Sequence, residues 1–183
     1  MTILHIDSSI QAERSISRHL TAAIVATLTA HANDRVLYRD LSVETPELNR
    51  TSSVDQFLAS DTIVLGAPMY NLGIPARLKS WIDAIVVPGK TFSYTSDGRP
   101  QGLAGGRRMV IAYASGGFHG PEADFVEPYL RAVFSLLGIT EIDIVRAEGV
   151  DISADHRARA LASAEQTIAA IAGRNIESRR QIP

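Results

Sequence analysis

Short apolar, β-branched runs alternate with longer helical periods along this chain, and that alternation restricts its folds more than any other feature of the sequence. Ile3 to Ile6 reads as a first strand, and Ile16, Leu20, Ala23, Ile24, Thr27 and Leu28 recur at helical spacing in a helix from about Ser15 to His31. Asn33 and Asp34 break that helix, and Val36 to Tyr38 make a second strand. Leu41 to Asp61 is polar and weakly patterned, with at most a short helix near Ser52 to Ala59. Thr62 to Leu65 gives a third strand, and Leu78, Trp81, Ile82 and Ile85 mark the helix after it. Pro88 to Gly106, glycine-rich around Thr91 to Thr95, suggests a hairpin or excursion rather than a linker. Met109 to Ala114 is a fourth strand. Val126, Tyr129, Leu130, Val133, Phe134 and Leu137 form the inner stripe of the next helix, with Gly138 suited to its C′ position. Ile142, Ile144 and Val145 carry a fifth strand; Leu161, Ala164, Ile168, Ile171 and Ala172 carry a last helix ending near Gly173.

Strands separated by helices predict an α/β sandwich of three layers, a parallel sheet covered on both faces. The first, third and fourth strands are almost continuously apolar, as central strands are, whereas the second and fifth carry charges, as edges do. The order 2-1-3-4-5 follows, with its switch point between strands one and three, so a ligand belongs on the loops after them. The expected organisation is a single domain over residues 1–173 and a polar tail over 174–183.

Composition excludes several functions. A net charge of -2, from 18 basic and 20 acidic residues, gives no broad surface for nucleic acid or anionic membrane. Without cysteine there is no disulfide, thiolate metal site or iron–sulfur cluster, and no His/Asp/Glu spacing suggests a metal. The N-terminus lacks a signal-peptide pattern, and no apolar run reaches the ~18 residues of a membrane span, so a cytoplasmic chain is the expectation.

Three loops carry the chemistry. Pro68 and Pro75 interrupt Leu65 to Ala76, leaving a stiff loop whose Met69, Tyr70, Asn71 and Leu72 suit the edge of a flat heteroaromatic. The loop after the first strand, Asp7 to Ser17, has neither a dinucleotide glycine fingerprint nor a Walker lysine. It offers Ser8, Ser9, Ser15 and Ser17, two of them at a helix start where free N–H groups favour a phosphate, with Arg14 as a possible charge. Ser15 is equally read as a simple N-cap. After the fourth strand, Ala114 and Ser115 lead into Gly116 and Gly117, whose backbone can approach a ligand closely. Together these loops match what a mononucleotide with a large heteroaromatic ring needs. His119 could donate a proton or cap its loop. His5 reads as a satisfied core histidine, and His19, His31 and His156 as helix-surface residues. The Gly-x-Ser-x-Gly elbow of a Ser-His-Asp hydrolase is absent.

Ser8-Ser9-Ile10 with Ser15-Ile16-Ser17, Ala67-Pro68-Met69-Tyr70-Asn71, Thr91-Phe92-Ser93-Tyr94-Thr95, Ser115-Gly116-Gly117 and Ala147-Glu148-Gly149 occur in collinear order. On these pieces the chain resembles the FMN-dependent NADH-azoreductases, flavodoxin-like NAD(P)H:quinone oxidoreductases. The resemblance implies a flavodoxin-like fold and a homodimer with one FMN per subunit. The implied activity is ping-pong hydride transfer from NADH or NADPH to a quinone or azo compound. Ser9, Ser15, Ile16 and Ser17 would hold the FMN phosphate side, and Met69, Tyr70, Asn71 and Leu72 would line the isoalloxazine. Ala114, Ser115, Gly116 and Gly117 would meet its pyrimidine end, and Phe92, Tyr94 and Phe118 would wall the substrate pocket. No catalytic side chain is required, because the chemistry is borne by the flavin. The connection from Leu41 to Asp61 is shorter than is usual in that family. The alternative is a flavodoxin-type single-electron carrier, although such carriers are strongly acidic and this chain is not. A short nicotinamide-binding domain with Asp40 as ribose ligand lacks the glycines it would need.

Overall fold

A computed structural model describes residues 1–29, 33–43 and 50–180. The core sheet runs β1 (Thr2–Asp7), β2 (Arg35–Asp40), β3 (Thr62–Pro68), β6 (Arg108–Ser115) and β7 (Glu141–Glu148). Between β3 and β6 lies a small antiparallel hairpin, β4 (Phe92–Tyr94) and β5 (Pro100–Gly102). The five core strands are all parallel and lie in the order β2-β1-β3-β6-β7, so the charged strands do form the edges.

The helices are α1 (Ile16–Leu28), α2 (Arg50–Leu58), α3 (Ala76–Ile85), α4 (Val126–Leu136) and α5 (Ala154–Arg180). Alternate residues of each central strand feed opposite cores. Ile3, Val64, Val110 and Ala112 pack with Leu20, Ile24, Ala164 and Ile168 of α1 and α5. Leu4, Ile63, Leu65 and Ile111 pack with Phe57, Trp81, Leu130 and Phe134 of α2, α3 and α4. Such burial, at roughly 25 cal/mol per Å² of apolar surface, is what drives the sandwich together. Trp81 is fully buried between Phe57 and Phe134. Among the described residues its Nε1 has no hydrogen-bond partner.

Two sequence expectations are corrected. The third strand does not stop at Leu65 but runs on to Pro68, with Gly66, Ala67 and Pro68 in register with Ala112, Tyr113 and Ala114. The proline falls at the last position, where its missing N–H is bypassed: the Met69 N–H donates to the Ala114 carbonyl at 2.8 Å. Pro75, by contrast, stands immediately before α3, as expected. The last helix does not end at Gly173 but continues to Arg180, since one glycine costs a helix only about 1 kcal/mol. The first helix ends at Leu28; its expected end at His31 lies outside the described residues, as does part of the Leu41 to Asp61 connection.

Gly138 follows the end of α4 with φ +91°, and the Ile139 N–H returns to the Phe134 carbonyl at 2.9 Å. The hairpin docks on this turn. A Cβ at Gly102 would lie 2.1 Å from the Gly138 nitrogen, so the hairpin sits where only glycine fits. Among the described residues no helix is long and apolar enough to cross a membrane.

Candidate functional site

The switch point puts the ends of β1 and β3 side by side, and the loops after β1, β3 and β6 share one rim. Beyond β1, the buried Ser8 hydroxyl donates to the Gly66 carbonyl at 2.6 Å, tying the first loop to β3. Gly66 is a close-approach glycine: a Cβ there would be 3.2 Å from Asp7 Oδ1 and 3.3 Å from a Thr21 carbon. The Ser9 hydroxyl meets the Tyr70 hydroxyl at 2.9 Å, so the first and second loops are joined directly. A single 3-10 turn, Ala12–Arg14, then leads to Ser15, the N-cap of α1, whose Oγ accepts from the Arg18 N–H at 3.3 Å. Ser15 is therefore the N-cap that one reading expects, and its hydroxyl also lies 3.1 Å from that of Ser17. Among the described residues the Ile16 and Ser17 N–H groups have no protein acceptor. Two buried hydroxyls and two free donors at the positive end of a helix are groups that could hold an anion.

In the second loop the Tyr70 and Gly73 backbones exchange hydrogen bonds of 2.9 and 3.0 Å around Asn71 and Leu72. Their φ values, +51° and +66°, are those of a tight two-residue turn. Asparagine tolerates this region, but for leucine it is strained by about 1–2 kcal/mol. The turn stands between two prolines, which hold it in place.

The third loop is braced from behind. Residues 149–151, following β7, donate three backbone hydrogen bonds to the carbonyls of Gly117, Ser115 and Gly116, at 3.2, 3.2 and 3.0 Å. The Ser115 hydroxyl donates to the Gly117 carbonyl at 2.8 Å. With their carbonyls used in this way, the Gly116 and Gly117 N–H groups have no protein acceptor among the described residues. A Cβ at Gly116 would stand 2.8 Å from Asp151 Oδ2, so the exposed Asp151 carboxylate would have to turn aside to admit a side chain.

Ser15, Ile16, Ser17, Met69, Tyr70, Asn71, Ala114, Ser115 and Gly116 line one cleft of about 680 Å³, a size suited to a cofactor. Ser9 lies just behind it, buried, reaching it through Tyr70. Leu72 and Gly117 belong to the same turns but are not among the cleft's walls. Asp151 and Arg157 are walls that the sequence did not single out. The guanidinium of Arg157 binds the Val150 carbonyl at 2.9 Å and Asp151 at 3.0 Å.

The expected substrate-pocket aromatics are not walls of this cleft. Phe92 is 6% exposed and belongs to the main core, because its strand folds the hairpin back onto the domain. Tyr94 and Phe118 are both 65% exposed outside the cleft. Phe118 lies over Gly149, whose φ is +72° and where a Cβ would come within 2.7 Å of the ring. His119 lines a separate depression of about 510 Å³ with Asp124, Glu127, Arg131, Arg146 and Glu148. There Arg146 pairs with Asp124, Glu127 and Glu148.

Beneath the first loop lies a charged cluster that periodicity alone does not reveal. Arg18 grips Asp40 with two hydrogen bonds of 2.8 and 2.7 Å and donates twice to the Ser9 carbonyl, at 3.2 and 2.8 Å. Burial pushes Asp40 up, but its hydrogen bonds with Arg18 and Ser42 outweigh this and hold the carboxyl below its ordinary range. The hydrogen bond to Asp40 likewise raises Arg18. Asp40 is thus occupied by Arg18. Asp7 accepts from Thr21 at 2.7 Å and from Tyr38 at 3.1 Å. Burial and this carboxylate push Tyr38 up to about 12. His5 is not a satisfied core histidine: among the described residues its buried Nε2 has no hydrogen-bond partner, and it stops 3.6 Å from Asp7. The parallel register pairs His5 with Tyr38, whose ring meets it edge-on at 4.9 Å, and Thr21 and Tyr38 supply the donors to Asp7.

A family profile described as the flavodoxin-like fold matches residues 1–172. An FMN-dependent NADH:quinone oxidoreductase of Sinorhizobium fredii is 48% identical over 198 residues, covering 92% of this chain and 96% of its own. The chain belongs to the FMN-dependent NADH:quinone oxidoreductase family. A second member, from Xanthomonas axonopodis pv. citri, is 49% identical over 181 residues, covering 90% of this chain and 93% of that one. Among solved structures, an azoreductase from Bacillus anthracis superposes with a TM-score of 0.82 at 28% identity, over 95% of this chain and 99% of its own. The alignment with the Sinorhizobium member is longer than this chain, so that relative carries residues which this one lacks.

Proposed function

We propose that this chain is an FMN-dependent oxidoreductase that uses NADH or NADPH to reduce quinones and azo compounds. The observation that carries the proposal is the meeting of Ser15, Tyr70 and Gly116, from three loops far apart in sequence, around one cleft. The donor set fits the cofactor. The hydroxyls of Ser15 and Ser17, with the free N–H groups of Ile16 and Ser17, would hold a phosphate, which the helix dipole also favours. Met69, Tyr70 and Asn71 would lie along the ring system, and the Gly116 and Gly117 N–H groups would bind its polar end. When bound, FMN supplies the redox chemistry, taking a hydride from the reduced nicotinamide and passing electrons to the acceptor.

The chain's own contribution is placement and electrostatics. The backbone donors of Gly116 and Gly117 would favour negative charge beside them, and they are fixed in advance by loop 149–151, so little reorganisation is needed. Tyr70 is set by its hydroxyl contact with Ser9, and Ser9 by Arg18, so the two ends of the cofactor would be held by one connected network. Tyr94 and Phe118 are exposed aromatics, and in the homodimer that this reading includes, a second copy would bring such surfaces over the cleft as substrate walls. Rapid mixing of the FMN-loaded protein with NADH in the absence of oxygen tests the assignment. Bleaching of the bound flavin is expected, and a flavin that stays oxidised refutes it.

A further inference from the structure

Among the described residues that line the cleft, only Arg14, Asp151 and Arg157 carry a full charge. Arg14 precedes Ser15 on the side proposed for the phosphate, whereas Asp151 stands against Gly116, on the side proposed for the ring. The Asp151 N–H donates to the Gly116 carbonyl at 3.0 Å, and its Oδ2 would lie 2.8 Å from a Cβ on that glycine. The other carboxylate oxygen, Oδ1, accepts from Arg157 Nη2 at 3.0 Å, and Arg157 Nε donates to the Val150 carbonyl at 2.9 Å. Arg157 Nη1 has no partner among the described residues. A carboxylate and a guanidinium thus stand side by side next to the turn whose N–H groups would meet the polar end of a flavin. The fold itself draws little from the pair. The third loop is braced by the backbone of residues 149–151, and the two side chains are 65% and 46% exposed, so their attraction adds little stability. Arg157 is also the fourth residue of α5, close to the positive end of that helix, where a cation is disfavoured.

We propose that Asp151 and Arg157 set the reduction potential of the bound flavin as a balanced charge pair, the guanidinium favouring the reduced ring and the carboxylate opposing it. The inference rests on the flavin reading of the cleft. Two-electron reduction leaves negative charge on the pyrimidine end of an isoalloxazine, so a charge held nearby binds the reduced and oxidised forms unequally. With both members present the two effects nearly cancel. Loss of either member unbalances them, and in opposite directions.

Opposite signs make the test sharp. Equilibrium reduction of the FMN-loaded protein against a reference dye gives the potential, and fluorescence titration of the apoprotein gives the affinities for FMN and for riboflavin. Both are measured for the wild type, R157Q, R157K, D151N and R157Q/D151N. R157Q shifts the ratio of reduced to oxidised flavin binding about fivefold against the reduced form, which for a two-electron couple is a potential about 20 mV lower. D151N shifts it about threefold the other way, about 15 mV higher. R157K keeps the charge and stays within about twofold of the wild type, as does the double variant, and 1 M salt shrinks both single shifts. Distortion of the loop alone would move R157Q and D151N in the same direction. Equal potentials across the set, or shifts of one sign, overturn the proposal while leaving the flavin reading in place. So does an R157Q that binds FMN more weakly but riboflavin as before at an unchanged potential, since Arg157 then serves the phosphate. If the wild type does not bind FMN, the flavin reading is contradicted and the proposal falls with it.

Discussion

Replacing Arg18 by Gln removes the cation from the cluster beneath the first loop, and the structure allows the cost to be worked out. The Arg18 side chain is 15% exposed, and its partners Asp40 and Asp7 are 23% and 5% exposed. Removing one partner of a fully buried pair costs roughly 3–5 kcal/mol, because the other charge is left stranded. The part of Asp40 that water reaches lowers this to about 2–3 kcal/mol. For a domain of this size that corresponds to a drop of roughly 5–10 °C in Tm. The pH dependence has a definite sign. Asp40 is held below its ordinary value in the folded chain, so its stabilising contribution is complete above the unfolded carboxyl range, near pH ~4, and is lost as pH falls through the lower folded value. In R18Q the depressing hydrogen bonds from Arg18 are gone and only those from Ser42 remain. The stability gap between wild type and variant is therefore widest around neutral pH and closes below about pH 4. Urea denaturation at neutral and acid pH measures both quantities. A loss under about 1 kcal/mol at neutral pH, or a gap as wide in acid, would show that Arg18 does not hold a buried charge cluster.

Other perturbations separate binding from stability. S15A/S17A is expected to weaken FMN about 10- to 100-fold in a fluorescence titration while losing only about 1 kcal/mol of stability, the value of the N-cap. Tyr70→Phe breaks the contact with Ser9 and costs about 1 kcal/mol by chemical denaturation, with a matching rise in the FMN dissociation constant. Gly102→Ala drives a Cβ against the Gly138 backbone and destabilises the fold by more than about 3 kcal/mol in thermal unfolding, with no bearing on the cleft chemistry.

The sheet was legible because its strands differ in kind: Val64 and Val110 lie in runs that only a doubly covered strand explains, while Arg35 and Asp143 mark the edges. The strand order in turn foretold which loops meet, and Ser15, Tyr70 and Gly116 followed from it. What escaped is what depends on side chains distant in sequence. Arg18 and Asp40 are 22 residues apart on a helix and an edge strand, and neither carries a motif. Arg157 reaches the cleft only because α5 begins beside loop 149–151. Phe92 looked like a pocket aromatic within a resembling motif, yet the hairpin's fold back onto α4 buries it. His5 alternates with apolar neighbours as a core residue should, but no spacing along the chain could disclose that its ring stops short of Asp7.

Hydrogen–deuterium exchange with and without FMN shows whether the three loops grip one flavin mononucleotide together. Saturating FMN is expected to protect residues 9–17, 69–72 and 114–117 together, in the wild type and far less in S15A/S17A. Protection confined to one of these segments, or appearing elsewhere in the chain, would contradict it.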